Sequence, residues 1–366
     1  MENSETRSMR IKLLASFAAS LVWMGFVFAG APSIPGISDA VLDRFSSAPA
    51  TGPSEATQPS VQNWDAPAKI PTTWPGNQLA QHPFLFFGEG FNRISIVRNG
   101  QVVWNYRCGR GGEIDDAWVL SNGNVLYVRS TIAEEITPEK QVVWHYDLPA
   151  GTQSHSIQPI GLDKVLLMQN GLPPKLLLIN IKTNAIEMEH VMPAISATDP
   201  KTVHTQFRHV RLTKEGTWLV NFLNLNKVVE YDKDWKELLT IQIKSPWASL
   251  RLPDGNILVS GDHYGTLNEF DRTGKLIWQI TARELPGIDL RVVQGAERLA
   301  NGDIVMACSP GNVKEHGSKT SAIQLVEVTP DKKVVWVLQD WRDLGGGSGV
   351  QLLDEPGVPE DGDLLR

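Results

Sequence analysis

The sequence predicts an all-β fold, a six-bladed β-propeller with seven blades as the alternative count, and three observations predict it. The first is a repeated phrase of apolar strand, Gly-containing turn and second apolar strand: Trp118–Val128 (WVLSNGNVLYV), Leu250–Ser260 (LRLPDGNILVS) and Glu297–Ala307 (ERLANGDIVMA). The second is a companion strand with a tryptophan: Gln101–Tyr106 (QVVWNY), Gln141–Tyr146 (QVVWHY), Lys275–Ile280 (KLIWQI) and Lys333–Leu338 (KVVWVL). The third is spacing. The apolar residues that precede each tight turn are Leu120, Ile160, Leu212, Leu252 and Leu299, roughly 40–50 residues apart, the length of one four-stranded blade.

Taken in order, the chain begins with Arg7, Arg10 and Lys12, then an apolar run Leu13–Phe28, then Ala29-Gly30-Ala31. Positive, apolar and small-residue regions in that order predict a secretory signal or membrane anchor over residues 1–31, hence an exported protein, periplasmic or extracellular, with a membrane tether through the N-terminus left open. Residues 32–75 are rich in Pro, Ser, Ala and Thr and are expected to be a spacer, because so few large apolar residues cannot offset the entropy of ordering it. The propeller is expected over 76–366. Phe84–Phe87, Arg93–Val97 and Gln101–Tyr106 make three strands with no inner strand before them, and Val350–Leu353 (VQLL) has the inner-strand pattern without the rest of a blade. Joining the two closes the ring and removes both free sheet edges. The turns Asn122-Gly123, Glu215-Gly216, Asp254-Gly255 and Asn301-Gly302 supply the positive φ of short hairpins, with Asp163-Lys164 in the third blade, and the repeated tryptophans are expected between blades.

Formal net charge is −7 over 366 residues with no basic stripe, which argues against nucleic acid as a partner. The two cysteines, Cys108 and Cys308, read as small buried hydrophobes, a bridge between first and last blades being the other possibility. The Gly-rich runs do not join a strand to a helix, as a phosphate loop must, and no Gly-x-Ser-x-Gly elbow occurs.

Glu269–Trp278 (EFDRTGKLIW) resembles the strand-and-Trp repeat of the pyrroloquinoline-quinone-like propellers, and Leu252–Val259 (LPDGNILV) is similar to repeats of arylsulfotransferase-like propellers. Glu113–Tyr127, Gln206–Leu212 and Gln351–Gly357 look like an exported bacterial branch of that group. The resemblance covers residues 80–366 and implies the fold. The chain is too short for the eight blades and calcium site of the quinone dehydrogenases, and residues 32–75 cannot supply the extra sandwich domain of the sulfotransferases.

In a propeller, function sits where loops enter the inner strands. Counting five back from each landmark gives Asp115, His155, Phe207, Trp247, Gln294 and Ser348, a polar and aromatic ring at one end of the channel. Three chemistries compete for it. Recognition of a small-molecule or carbohydrate ligand (sugar, peptide or aromatic metabolite) would use Asp115, Asp116, His155, Phe207, Trp247, Gln294, Glu297 and Gln351. Sulfuryl transfer through a histidine, which the resemblance implies, would use His204, His209 and Arg208 as catalytic residues. A metal held by His155, His204 or His209 with Asp115 or Asp116 has no tight ligand spacing, so no metal ligand and no cofactor is assigned. An envelope protein-interaction scaffold is a further alternative.

Overall fold

Period-two apolar patterns between tight turns form twenty-four strands in six antiparallel four-stranded sheets. The computed structural model describes residues 36–47, 74–88, 92–109, 112–261, 265–311 and 322–363. The apolar run Leu13–Phe28 lies outside them, and among the described residues no helix is long and apolar enough to cross a membrane.

Blade one opens with β1 (Phe84–Phe87), β2 (Arg93–Arg98) and β3 (Gln101–Arg107). Blade two is β4 (Ile114–Val119), β5 (Val125–Arg129), β6 (Ile132–Ile136) and β7 (Val142–Asp147). Blade three is β8 (Gln153–Ile160), β9 (Lys164–Asn170), β10 (Lys175–Asn180) and β11 (Ile186–Val191). Blade four is β12 (Phe207–Leu212), β13 (Trp218–Phe222), β14 (Lys227–Tyr231) and β15 (Glu237–Gln242). Blade five is β16 (Pro246–Arg251), β17 (Ile257–Gly261), β18 (Thr266–Phe270) and β19 (Leu276–Thr281), and blade six is β20 (Val292–Arg298), β21 (Ile304–Ser309), β22 (Leu325–Val328) and β23 (Val334–Leu338). Last comes β24 (Gly349–Leu352), which pairs antiparallel with β1 from Phe84↔Leu352 to Phe87↔Gly349 and completes blade one. Gly349 is required there, since a Cβ would lie 2.3 Å from the Phe87 ring. The innermost strands β24, β4, β8, β12, β16 and β20 contact one another in that order and back to the start, so the ring has six blades.

The hairpins after the inner strands differ slightly from expectation. Leu120 N–H donates to Asn124 O and Gly123 N–H to Leu120 O, and the same pair of bonds recurs at Thr213, Leu252 and Leu299. These are three-residue loops with the left-handed glycine third (Gly123 φ 85°), rather than two-residue turns.

The repeated tryptophans each reach the outer turn of the following blade. Trp104 Nε1 donates to Pro138 O (2.7 Å), Trp144 to Asn184 Oδ1 (2.6 Å), and Trp278 to Pro330 O (2.9 Å). Trp336 Nε1 donates to Gln78 O (2.9 Å), just ahead of blade one. Charged groups repeat the linkage nearer the axis. Glu230 of blade four pairs with Arg251 of blade five, Glu269 of blade five with Arg298 of blade six, and Glu327 of blade six with His82 ahead of blade one. Apolar clusters fill the spaces between blades, where a fully buried Leu, Ile or Phe contributes about 1.5–3 kcal/mol. Cys108 and Cys308 are buried free thiols in two different clusters.

The stretch read as a spacer contains ordered structure. Helix α1 (Asp39–Ser47) lies against β3, with Ile37, Leu42 and Phe45 buried and Phe45 edge-on to Trp104 at 5.5 Å. Arg98 holds Asp39 and Asp43 on the helix's exposed side. Residues 74–81 follow the outer edge of β23, where Val337 N–H donates to Pro75 O (3.1 Å). Val41, Leu42 and Phe45, three and four residues apart on one helix face, were hidden in a composition that is otherwise small and polar.

Candidate ligand site at the channel mouth

Five inner strands break their ladder near the start. Asp115 is an extra residue between the pairs Ile114↔Arg129 and Asp116↔Val128, Trp247 between Pro246↔Gly261 and Ala248↔Ser260, and Gln294 between Val293↔Cys308 and Gly295↔Ala307. On β8 the pair His155-Ser156 opposes a single residue, and on β12 the pair Arg208-His209 does. A bulge leaves one residue unpaired and re-aims its side chain. Repeated at one level, it converts five β-strands into a ring of inward-turned side chains. Ser348, next to β24, stands at the corresponding place on blade one.

The centre of the ring is an acid–imidazole pair. His155 Nδ1–H donates to Asp115 Oδ2 across blades two and three, with both side chains buried. Burial, reinforced by the Arg208 guanidinium, holds the His155 ring well below its ordinary pKa, so it is neutral. Burial also pushes the Asp115 carboxyl above the usual carboxylate range; Arg208 opposes that and Asp116 adds to it. His155 Nε2 and Asp115 Oδ1 are buried and meet no hydrogen-bond partner among the described residues. The same holds for Trp247 Nε1 and Ser348 Oγ.

Around that pair stand Glu113, His204 and Arg208. Glu113 Oε2 is 3.9 Å from His155 Nδ1 and 4.0 Å from His204 Nε2. The His155 and His204 rings meet nearly perpendicular, centroids 5.1 Å apart. His204, in the 3-10 turn Pro200–Thr205, donates from Nδ1 to Gln153 Oε1 (2.9 Å); burial, Arg208 and His155 together lower its pKa to about 4. Arg208 donates to His204 O (2.7 Å) and lies over the Trp247 ring at 4.4 Å. The Glu113 and His204 side chains are 32% and 46% exposed, so this end of the ring is open.

Four residues read as ligand-binding have other duties. Phe207 is a core residue: its ring packs on Phe222 at 4.9 Å among the apolar side chains between blades three and four. The turn bonds made by Leu120 are made in blade four by Thr213, one residue past Leu212, so the bulge falls at Arg208 and Phe207 stays in the ladder. Asp116, Glu297 and Gln351 clamp neighbouring inner strands. Asp116 Oδ2 accepts from Ile157 N (2.9 Å) and from Arg211 Nη1 (2.9 Å), Glu297 Oε2 from Leu352 N (3.0 Å), and Gln351 Oε1 from Val119 N (2.8 Å). His209 belongs to the same support. Its Nε2–H donates to Asp115 O (3.2 Å) and its Nδ1 accepts from Arg211 Nη2 (3.1 Å), so neither nitrogen is available as a nucleophile. Gln294 sits in its predicted place at the blade-six bulge. Glu113 and Gln153 were assigned no role from sequence, whereas Ser348 stands where counting back from blade one's landmark puts it. The two-residue step from Glu113 to Asp115, and from Gln153 to His155, was the signal that could have shown that each pair shares a side of its strand.

Chemically, this arrangement can take a proton at a neutral, carboxylate-oriented imidazole, hold a cation between acceptor-only groups, or bind a ligand rich in hydrogen-bonding groups.

No family model matches the sequence, and no curated protein matches it. Among solved structures, a protein of unknown function from Bacteroides caccae superposes with a TM-score of 0.66 at 24% identity, over 75% of this chain and 99% of that one. A streptogramin B lyase superposes with a TM-score of 0.50 at 14% identity, over 74% of this chain and 85% of that one. These likenesses carry the fold. The chain is a β-propeller. The first neighbour is of unknown function and the second is a lyase, and the propeller is as fine a grouping as they support.

Proposed function

We propose that this propeller binds a small polar ligand, of the sugar or peptide class, at the bulged mouth of its ring, as an exported protein. One observation carries the reading: at the bulge level of four blades, buried polar atoms have no partner among the described residues, namely Asp115 Oδ1, His155 Nε2, Trp247 Nε1 and Ser348 Oγ. A buried polar atom left without a partner costs about 1–3 kcal/mol, so a folded protein keeps several together only where something else completes them. They comprise one donor (the indole N–H), two acceptors and a hydroxyl that does both, which suits a ligand with mixed hydrogen-bonding groups. The Trp247 face, already carrying Arg208, adds a flat apolar wall. Sulfuryl transfer through His209 is not favoured, because both of its nitrogens are in use.

The test is calorimetric titration of the full-length protein with a panel of oligosaccharides and short peptides, repeated on Trp247→Ala and Arg208→Ala. Saturable binding that weakens at least 10-fold in both variants supports the reading. A panel that never binds, or binding indifferent to both substitutions, overturns it.

A further inference from the structure

We propose that Glu113, Asp115 and His155, closed by His204, hold a divalent transition-metal ion of the zinc class. The proposal rests on reading the mouth as a binding site and names an inorganic ligand for it. One donor atom each from Glu113, Asp115 and His155 lies within 4.8 Å of the others. His204 Nε2 stands 4.0 Å from Glu113 Oε2, on the side nearest His155. Around a tetrahedral ion with bonds of roughly 2.0–2.2 Å, neighbouring ligand atoms are about 3.3 Å apart. The separations of 3.9 and 4.0 Å reach that value by small side-chain rotations.

Two further observations point to a cation rather than to a chance group of acids. First, Asp115, one of the three clustered donors, is only 4% exposed, yet its Oδ1 has no partner among the described residues. Second, His204 is already arranged as a ligand. Its Nδ1–H is committed to Gln153 Oε1 at 2.9 Å, which fixes the tautomer with the lone pair on Nε2, the atom turned toward Glu113. An outer acceptor that orients an imidazole in this way is the usual companion of a metal-bound histidine.

The mixture of two imidazoles and two carboxylates selects zinc-like ions over calcium or magnesium, which take oxygen ligands. For His155 to ligate through Nδ1, its proton moves from Nδ1 to Nε2, so the imidazole stays neutral and Asp115 Oδ2 is released to the ion as a carboxylate oxygen. Because the ligands come from β4 and its approach, from β8, and from the turn before β12, they have no short sequence spacing.

The test uses full-length protein stripped with a chelator and titrated with zinc alone by calorimetry, then with cobalt(II) alone to read its visible absorption. One ion per chain is expected, with affinity falling at least about 100-fold in Glu113→Gln and in His155→Gln. Circular dichroism must show both variants folded; Glu113, partly exposed, is the safer of the two. An intense cobalt spectrum of tetrahedral type is expected, weakened in His204→Gln. No saturable zinc uptake by the folded wild type, or equal affinity in wild type and Glu113→Gln, overturns the proposal. Zinc uptake without any sugar or peptide response would keep the metal site and sink the organic-ligand reading, and the converse result would do the reverse.

Discussion

Asp115 and Asp116 are adjacent on β4 and both buried, yet the ring treats them in opposite ways. Asp116 is knitted in: one oxygen accepts from the backbone of blade three and from Arg211 of blade four, whose guanidinium is itself fully buried and also donates to Ser156. Asp115, a single residue nearer the mouth, bonds through its side chain to His155 alone; among the described residues, Oδ1 of both carboxylates is left without a partner. The two carboxylates are identical in chemistry and nearly so in burial. What separates them is the bulge, which keeps Asp116 in the ladder and puts Asp115 outside it. At Asp116 the ring ties three blades together; at Asp115, one residue toward the mouth, a single side-chain bond ties two.

The largest effect expected from breaking this contrast is at Asp116. Asp116→Ala strands the Arg211 charge in the core and should cost about 3–5 kcal/mol in urea unfolding. An intermediate effect is expected at His82, a clamp that can be titrated. Burial disfavours its charge, but hydrogen bonds to Asp354 (2.9 Å) and Glu327 (3.1 Å) prevail and raise its pKa to about 9. A raised folded pKa means that this stabilisation is complete below the free-imidazole value near 6.5 and is lost as pH rises through about 9. His82→Gln should therefore cost about 1–3 kcal/mol at neutral pH and abolish that alkaline loss, measured as thermal stability against pH. The smallest effect, with the opposite tendency, belongs to Asp115. Asp115→Asn keeps the acceptor for His155 and removes a poorly compensated buried charge, so stability should stay within about 1 kcal/mol of wild type or rise. A loss as large as that of Asp116→Ala would erase the distinction between the two carboxylates.

The fold was legible because its signals are local and repeated. Strand alternation, the turn glycines and the Trp of the outer strand are each visible within a dozen residues, and Val350–Leu353 showed where the ring closes. The site was legible in part. Asp115, His155, Trp247 and Gln294 were placed by counting back from each turn, but the count landed on Phe207 in blade four because the apolar Leu212 lies one residue before the turn position, which there is the polar Thr213. The clamping roles of Asp116, Glu297 and Gln351 were out of reach, because each partner is a backbone group on a different blade. A buried acid that serves structure and one that awaits a ligand look alike until the neighbouring strand is in place. The docked helix α1 was missed for a related reason: Leu42 and Phe45 bury themselves against β3, which follows them by some fifty residues.

Ring closure by β24 also has a consequence during biosynthesis. The inner strand of the first blade is translated more than two hundred and fifty residues after β1, its partner. Until the ribosome has made residue 352, Phe84–Phe87 is an apolar strand with one open edge, and the mouth lacks a wall. A polypeptide cut short by a premature stop anywhere upstream therefore carries both a sticky edge and an unfinished cavity. Closure of blade one by β24 is a built-in check that translation has reached residue 352.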